Sequence, residues 1–182
     1  MPRPARYGAV AMSLHWLIAA AIIVNILVVL LAPEHRGPAR SAYMGFHMAL
    51  GLTVLVLSVA RLIWRLSHAA PPPIGTPLER LAAAALHGLF YVLIVAIPLA
   101  GWLMVSASGR TPSWFGLFAW PAFPGFAGLD HASAHAWHEN FETIHVVLGW
   151  AMAGLIPLHI AAGFYHHWVQ KDGVLLRMLP GR

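Results

Sequence analysis

Hydrophobic and polar positions divide the chain into four long apolar segments that are joined by more polar stretches. The segments cover about residues 8–31, 42–64, 81–106 and 141–169, and each is long enough to cross a hydrocarbon core of about 30 Å as a helix. The pattern therefore predicts an all-α integral membrane protein, a four-helix bundle that forms a single domain over residues 1–182.

The first segment could be mistaken for a cleaved signal peptide, because Arg3 and Arg6 precede it. Its apolar stretch is about twenty residues long, contains His15 and lacks a small-x-small cleavage site. We therefore expect the segment to be retained as a membrane span.

The connections between the segments contain the residues that end helices. Pro33 and Pro38 lie in the first connection, and Pro71–Pro73 form a stiff second one. The third connection, from about Ala107 to Asn140, is rich in Gly, Pro, Phe and Trp. It is predicted to be a loop at the level of the lipid headgroups, where aromatic side chains are enriched.

Composition supports a membrane protein and excludes several cofactors. Hydrophobic residues make up 59% of the chain and charged residues only 9%, whereas about a quarter of an ordinary soluble domain is charged. The net charge of +5 comes from residues at the ends of apolar segments, which favours a membrane surface over nucleic acid as the partner. The absence of cysteine excludes thiolate-bound iron–sulfur clusters, thiolate-ligated haem and covalent c-type haem.

The basic residues also predict an orientation. With four spans, both termini share one side of the membrane with the second connection. That side holds eight of the eleven basic residues, namely Arg3, Arg6, Arg61, Arg65, Arg80, Lys171, Arg177 and Arg182. The positive-inside rule therefore places both termini in the cytoplasm. The outer side holds four of the six carboxylates together with three arginines, namely Glu34, Asp130, Glu139, Glu142, Arg36, Arg40 and Arg110.

Histidines provide the candidate chemistry, since the chain has twelve of them and several lie inside apolar segments, where an ionisable residue indicates a functional site. His145 and His159 are fourteen residues apart, so a helix places them on nearly the same face about 21 Å apart. That spacing favours one axial ligand for each of two separate cofactors.

Helix direction and rise sort the histidines into two layers. His15 and His159 fall in a layer towards the cytoplasm, and His47 and His145 fall in a layer near the outer face. We expect each layer to hold one six-coordinate haem. Small residues near these histidines would leave room for a flat macrocycle or serve ordinary helix packing, and they are Gly45, Gly51, Gly149, Ala153 and Gly154.

Histidines outside the two pairs, and one methionine, have other expected roles. His87 lies near the inner layer as a surplus imidazole, either a ligand or a partner of a haem propionate or a quinone. Met152, midway between His145 and His159, is expected to serve packing. The spacing of His131, His135 and His138 permits a zinc site on one helix face.

Several short motifs occur in a fixed order along the chain. Ser13–Trp16 opens the first span, Gly45–His47 opens the second, and His145 and His159 follow at their spacing of fourteen residues. Near the C-terminus come His166–Trp168 and then Lys171–Pro180. In their order and spacing these motifs resemble the bacterial cytochrome b561 family. The resemblance covers essentially the whole chain and implies a four-helix bundle that encloses two haem b groups, with His15 and His159 on one iron and His47 and His145 on the other.

The resemblance also implies a function. Two haems with two histidines each have no open coordination site, so outer-sphere electron transfer is expected. The implied protein lies in the bacterial inner membrane and passes electrons from superoxide, or another one-electron donor, to ubiquinone. Catalytic residues are not identified. Five polar or aromatic residues could gather around a quinone near the inner haem, namely Arg6, Trp16, His87, His166 and Lys171.

Two alternatives remain at this stage. The chain could be a membrane-anchor cytochrome b subunit that passes electrons between a partner dehydrogenase or hydrogenase and quinone. It could instead be a haem-free transporter that uses its membrane histidines to carry protons or metal ions.

Overall fold

The computed structural model describes residues 6–179, which contain four helices long and apolar enough to cross a membrane. They are α1 (Ala9–Leu30), α2 (Pro38–Ser67), α3 (Pro77–Ala107) and α4 (His131–Tyr165). The predicted all-α four-helix membrane bundle is confirmed. Arg3, Pro180 and Arg182, which entered the sequence analysis, lie outside the described residues.

Helices α2 and α3 begin before their apolar stretches because polar residues and proline start them. Pro38 and Pro77 occupy the first helical positions, where proline's missing amide hydrogen costs no hydrogen bond. Thr76 and Glu79 form a reciprocal capping box: the Glu79 amide donates to Thr76 Oγ1 at 3.3 Å, and the Thr76 amide donates to Glu79 Oε2 at 2.7 Å.

Helix α4 differs most from the prediction, because it begins at His131, about ten residues before the expected start. Asp130 caps it: Oδ1 accepts a hydrogen bond from the Ser133 amide at 3.0 Å, and Oδ2 accepts one from the Ser133 hydroxyl at 2.6 Å. The expectation of a loop up to Asn140 was therefore wrong for residues 131–140. Their polar composition hid a helical extension that lies beyond the apolar span.

The rest of the outer connection folds against α2. Strands β1 (Ser113–Trp114) and β2 (Phe118–Ala119) form a short antiparallel hairpin. Trp114 Nε1 donates a hydrogen bond to Thr53 Oγ1 of α2 at 3.0 Å, and the Phe115 ring packs against Phe46. The aromatic residues of this connection thus fix it to the outer end of the bundle.

A buried apolar layer lies at mid-height in the bundle, and all four helices contribute to it. Its buried members are Ile18 of α1, Val54 of α2, Leu93 and Ile94 of α3, and Met152 of α4. Met152 is only 3% exposed, which confirms its expected packing role. Below we call these five residues the middle layer.

Helix packing is uneven around the bundle. Close backbone packing joins α3 to α4, α1 to α2 and α2 to α3, but among the described residues it is nearly lacking between α4 and either α1 or α2. Side chains therefore span a gap between α4 and the α1–α2 pair, above and below the middle layer.

Candidate functional site

The outer gap is spanned by His47 of α2 and His145 of α4, whose ring centroids are 5.8 Å apart. The Nδ1 atom of His145 donates a hydrogen bond to the Ile97 carbonyl oxygen of α3 at 2.8 Å. This bond fixes the tautomer that leaves Nε2 available to a metal. A histidine that binds a metal commonly donates its other ring N–H to a carbonyl in this way.

Gly101 makes that hydrogen bond possible. It lies one helical turn after Ile97 on α3, and a Cβ atom at this position would lie only 3.0 Å from both Cε1 and Nδ1 of His145. Sequence reasoning missed Gly101. The signal that could have found it is a glycine in the interior of an apolar helix, which indicates a close approach by a neighbour.

Two polar residues lie side by side at the outer pair, since the ring of His47 interacts with the backbone of Asn25. The side-chain oxygen Oδ1 of Asn25 is buried without a hydrogen-bond partner among the described residues. Buried polar atoms are nearly always partnered, so this oxygen is available to a bound group. Asn25 was also missed in the sequence, although an amide inside an apolar span is itself a signal of function.

The inner gap brings three imidazoles together. The ring centroid of His159 lies 6.3 Å from that of His15 and 5.6 Å from that of His87. Phe90 packs against the same ring with a centroid distance of 5.2 Å. The Nδ1 atom of His87 donates to the Ala83 carbonyl oxygen at 2.6 Å. His87 thus contacts His159 from an exposed position on α3.

The two pairs fit b-type haem. A metal–imidazole bond is about 2.0–2.1 Å long, so two rings on opposite sides of one metal have centroids about 6 Å apart, close to both observed distances. Among the described residues, no atom lies within 4 Å of a Cβ built at Gly45, Gly149 or Gly154, apart from the backbone of their own helix and their chain neighbours. In residues 6–179 no group of three or more metal-binding side chains occurs. Two ligands per site suit a macrocycle that supplies the remaining four. The four histidines' role as axial ligands stays a prediction.

The zinc site that the spacing of His131, His135 and His138 permitted is absent from the described part of the chain. His138 turns inwards, and its Nδ1 donates to the Met104 carbonyl oxygen of α3 at 2.9 Å. His135 instead lies 3.5 Å from Glu139 on the exposed side of α4. The helix forms, but the side chains take different partners.

The residues expected around a quinone lie at the inner end of the bundle, and several contact residues 171–179, which we call the C-terminal segment. Trp16 Nε1 donates to the Met178 carbonyl oxygen at 2.6 Å, and Arg6 donates to the carbonyl oxygen of Leu179. His166 opens a π-helical turn, His166–Gln170, that ends α4, and Lys171 follows in a left-handed conformation with φ 53°.

The outer arginines converge although they are distant in sequence. A cleft of about 370 Å³ is lined by Arg36, Arg40 and Arg110 together with Gly37, Ser41, Met44 and Met48. Its lining includes no carboxylate, whereas Glu139 and Glu142 line a separate cleft on α4. The ion pairs found within residues 6–179 do not involve these arginines. Since Met44 and Met48 flank His47 along α2, the basic cleft adjoins the outer histidine pair.

Known proteins resemble this chain over nearly its whole length. A family model described as prokaryotic cytochrome b561 matches residues 6–181. Cytochrome b561 homolog 2 of Escherichia coli (strain K12) is 32% identical over 188 residues, which cover 97% of this chain and 92% of that relative. A protein of Yersinia pestis named probable superoxide oxidase CybB is 28% identical over 181 residues, which cover 96% of each chain.

Proposed function

Because the chain belongs to the prokaryotic cytochrome b561 family, we propose that it is a di-haem cytochrome of the bacterial inner membrane that transfers electrons from superoxide to ubiquinone. His15 and His159 hold the inner haem, and His47 and His145 hold the outer one. The observation that carries the proposal is the placement of two imidazole pairs on opposite sides of the middle layer.

The haem sets the class of reaction. A haem with two imidazole ligands takes up and releases single electrons and has no open position for oxygen. The chain's own residues orient the ligands and exclude water: the Ile97 carbonyl holds His145, and the middle layer keeps the two sites apart. Membership of a cytochrome family also argues against the haem-free transporter.

Superoxide is the proposed donor because the basic cleft adjoins the outer pair. Three guanidinium groups without a carboxylate in the lining attract a small anion and raise its local concentration. The name of the Yersinia pestis relative supports the same substrate.

Ubiquinone is the proposed acceptor at the inner end, near His87, Trp16 and the C-terminal segment. Two superoxide anions give up one electron each and become two molecules of oxygen. One quinone takes up both electrons and two protons and becomes a quinol. In this proposal residues 1–182 form a single domain with both termini in the cytoplasm, which agrees with the basic residues there.

The test is a haem count followed by stopped-flow reduction of the purified chain. We expect about two b haems per chain, rapid reduction by superoxide, and turnover only when ubiquinone is added. Arg110→Gln should slow the reduction by roughly threefold to tenfold and weaken its dependence on ionic strength. Arg80→Gln, which removes an equal charge from the opposite end of the bundle, is the matched control and should leave the rate unchanged.

Two results would contradict the proposal. A colourless protein would contradict the presence of haem. A haem protein that superoxide does not reduce would exclude superoxide as the electron donor. In the second case, reduction by a copurifying dehydrogenase would favour the membrane-anchor subunit instead.

A further inference from the structure

The end of α4 carries an imidazole–carboxylate pair that neither the haem ligands nor the basic cleft involves. The Nδ1 atom of His166 lies 2.6 Å from Oδ2 of Asp172, and the two side chains are only 22% and 14% exposed. The other carboxylate oxygen, Oδ1, accepts a hydrogen bond from the Val174 amide at 3.0 Å. The backbone thus fixes the carboxylate, and the carboxylate in turn orients the imidazole.

This pair lies just beyond the inner histidines. His166 follows His159 by seven residues, which in a helix is about 10 Å further along nearly the same face. On the opposite side of the gap, Trp16 packs against His15 with a ring-centroid distance of 5.2 Å and binds the C-terminal segment through Met178. The pair therefore occupies the boundary between the inner haem site and the cytoplasmic surface.

Reduction of a quinone requires protons at that boundary, because each quinone that accepts two electrons must also bind two protons. Arginine does not release its proton in proteins, and the middle layer has no polar member that could carry protons from the outer side. Histidine is the side chain whose ordinary titration range fits repeated proton transfer near neutral pH.

We propose that His166 and Asp172 form the proton-delivery pair of the quinone site, an inference that rests on the proposed function. The imidazolium of His166 gives the proton on Nε2 to a quinone carbonyl oxygen, so an N–H bond breaks and an O–H bond forms. Asp172 retains its hydrogen bond to Nδ1–H and stabilises the cationic form. Water at the cytoplasmic face then returns a proton to Nε2, and the second proton follows by the same route. The two electrons come from superoxide.

Other charged and titratable groups surround the pair. Glu79 of α3 accepts a hydrogen bond from Gln170 at 2.7 Å and is further held by its capping box with Thr76. Tyr165, His167 and Lys171 are chain neighbours of the π-helical turn, and Arg177 donates to the Pro72 carbonyl oxygen. The Tyr165 ring packs edge-on against the His166 imidazole with a centroid distance of 6.1 Å, and Glu79 lies close enough to interact with it electrostatically. The side chain that is hydrogen-bonded to the imidazole is Asp172.

The two partners permit conservative variants. In His166→Asn the amide can still donate to Asp172 but cannot transfer a proton. In Asp172→Asn the amide oxygen can still accept from Val174, but the negative charge is lost. His167→Asn makes the same change one residue further on, at an imidazole that does not contact Asp172, and is the matched control.

The experiment uses the haem-loaded full chain in detergent, reduced with dithionite and mixed with ubiquinone-1 in a stopped-flow instrument. The rate constant of haem re-oxidation is measured against pH and quinone concentration. We expect His166→Asn and Asp172→Asn to lower the limiting rate constant by about a hundredfold and to abolish its pH dependence. The quinone concentration at half-saturation, the haem spectrum and the rate of reduction by superoxide should stay unchanged, as should all properties of His167→Asn.

The proposal is overturned if the haem of both variants is re-oxidised at the wild-type rate with the wild-type pH profile. It is also overturned if His167→Asn lowers the limiting rate constant as much as they do. It also fails if wild-type haem is not re-oxidised by ubiquinone-1, and the quinone half of the proposed function fails with it. Because dithionite supplies the electrons, the result does not depend on whether superoxide is the donor, which the stopped-flow reduction described above tests separately.

Discussion

The outer and inner histidine sites differ in what holds their rings. In the outer pair, His145 is fixed by a backbone carbonyl of α3, and Gly101 leaves the space for its ring. In the inner group, His159 is surrounded by the rings of His15, His87 and Phe90. A carbonyl sets the tautomer and direction of a ligand, whereas ring packing restricts only its volume.

This difference matches the demands of the two ends. The outer site adjoins a basic cleft suited to a small anion, and electron transfer there requires no proton. The inner site adjoins polar residues and the C-terminal segment, where a larger molecule would bind and protons would be taken up. The following tests are directed at one site while the other serves as the internal reference.

The largest effect is expected from removal of a ligand. His145→Ala should lose the outer haem and His159→Ala the inner one, so each variant should fall from about two haems to about one per chain. His87→Leu should keep both haems, because its neighbour His15 already completes the inner pair. A pyridine haemochrome assay measures the count. If His87→Leu lost a haem and His15→Ala kept both, His87 and not His15 would be the ligand opposite His159.

A smaller effect is expected from Gly101→Ala. The added methyl group would lie 3.0 Å from the His145 ring and should strain the hydrogen bond to Ile97. Changes of this kind around a metal ligand lower metal affinity about tenfold to a hundredfold. Haem titration of the apoprotein should therefore show weaker binding at the outer site alone.

Gly88→Ala is the control for that test, since it places the same methyl group in the same helix at a position with no neighbouring atom within 4 Å. Equal weakening by both variants, or weakening of the inner site by Gly101→Ala, would show that Gly101 does not act through His145.

Sequence patterns predicted the bundle well because long apolar segments in a membrane have one main solution, the helix. The two histidine layers also followed from helical rise alone, since His145 and His159 share one helix. Gly101 and Asn25 were not predicted, because their importance depends on which helix neighbours they meet. Convergence of Arg110 with Arg36 and Arg40 was hidden for the same reason, as the chain between them contains two membrane spans.

Polar helix ends were the other weakness of the sequence analysis. Residues 131–140 contain no apolar stretch of membrane length, so hydropathy treated them as a loop. The decisive features were local hydrogen bonds, namely the Asp130 cap and the contact of His138 with Met104. Such contacts do not change the hydropathy of a segment.

The smallest effect is expected from Asp130→Asn, which loosens the outer end of α4. Hydrogen bonds from Ser133 lower the pKa of Asp130, so its carboxylate stabilises the folded helix end. That contribution is complete above the ordinary carboxyl pKa and is lost as pH falls through the lowered value. At pH 7, hydrogen exchange of the first turn of α4 should be about twofold to fivefold faster in the variant, because the amide of asparagine can still accept from Ser133 but lacks the negative charge that favours a helix N-terminus.

At a pH below this lowered pKa, the wild-type protein and Asp130→Asn should exchange at similar rates, because the wild-type carboxyl is then protonated. Faster exchange in the variant at both pH values would mean that the charge of Asp130 is not what stabilises the cap. Hydrogen exchange at the inner end of the bundle should be the same in both proteins, so that end serves as the internal reference.

The middle layer of Ile18, Val54, Leu93, Ile94 and Met152 has an electrical consequence. A buried apolar layer offers protons and ions no polar partner, so in the proposed orientation only electrons move inwards, while the protons consumed come from the cytoplasm. Each quinol formed would then leave the cytoplasm more negative. Every charge moved against a potential of 100 mV costs about 2.3 kcal/mol, so removal of a toxic anion would also help to charge the membrane.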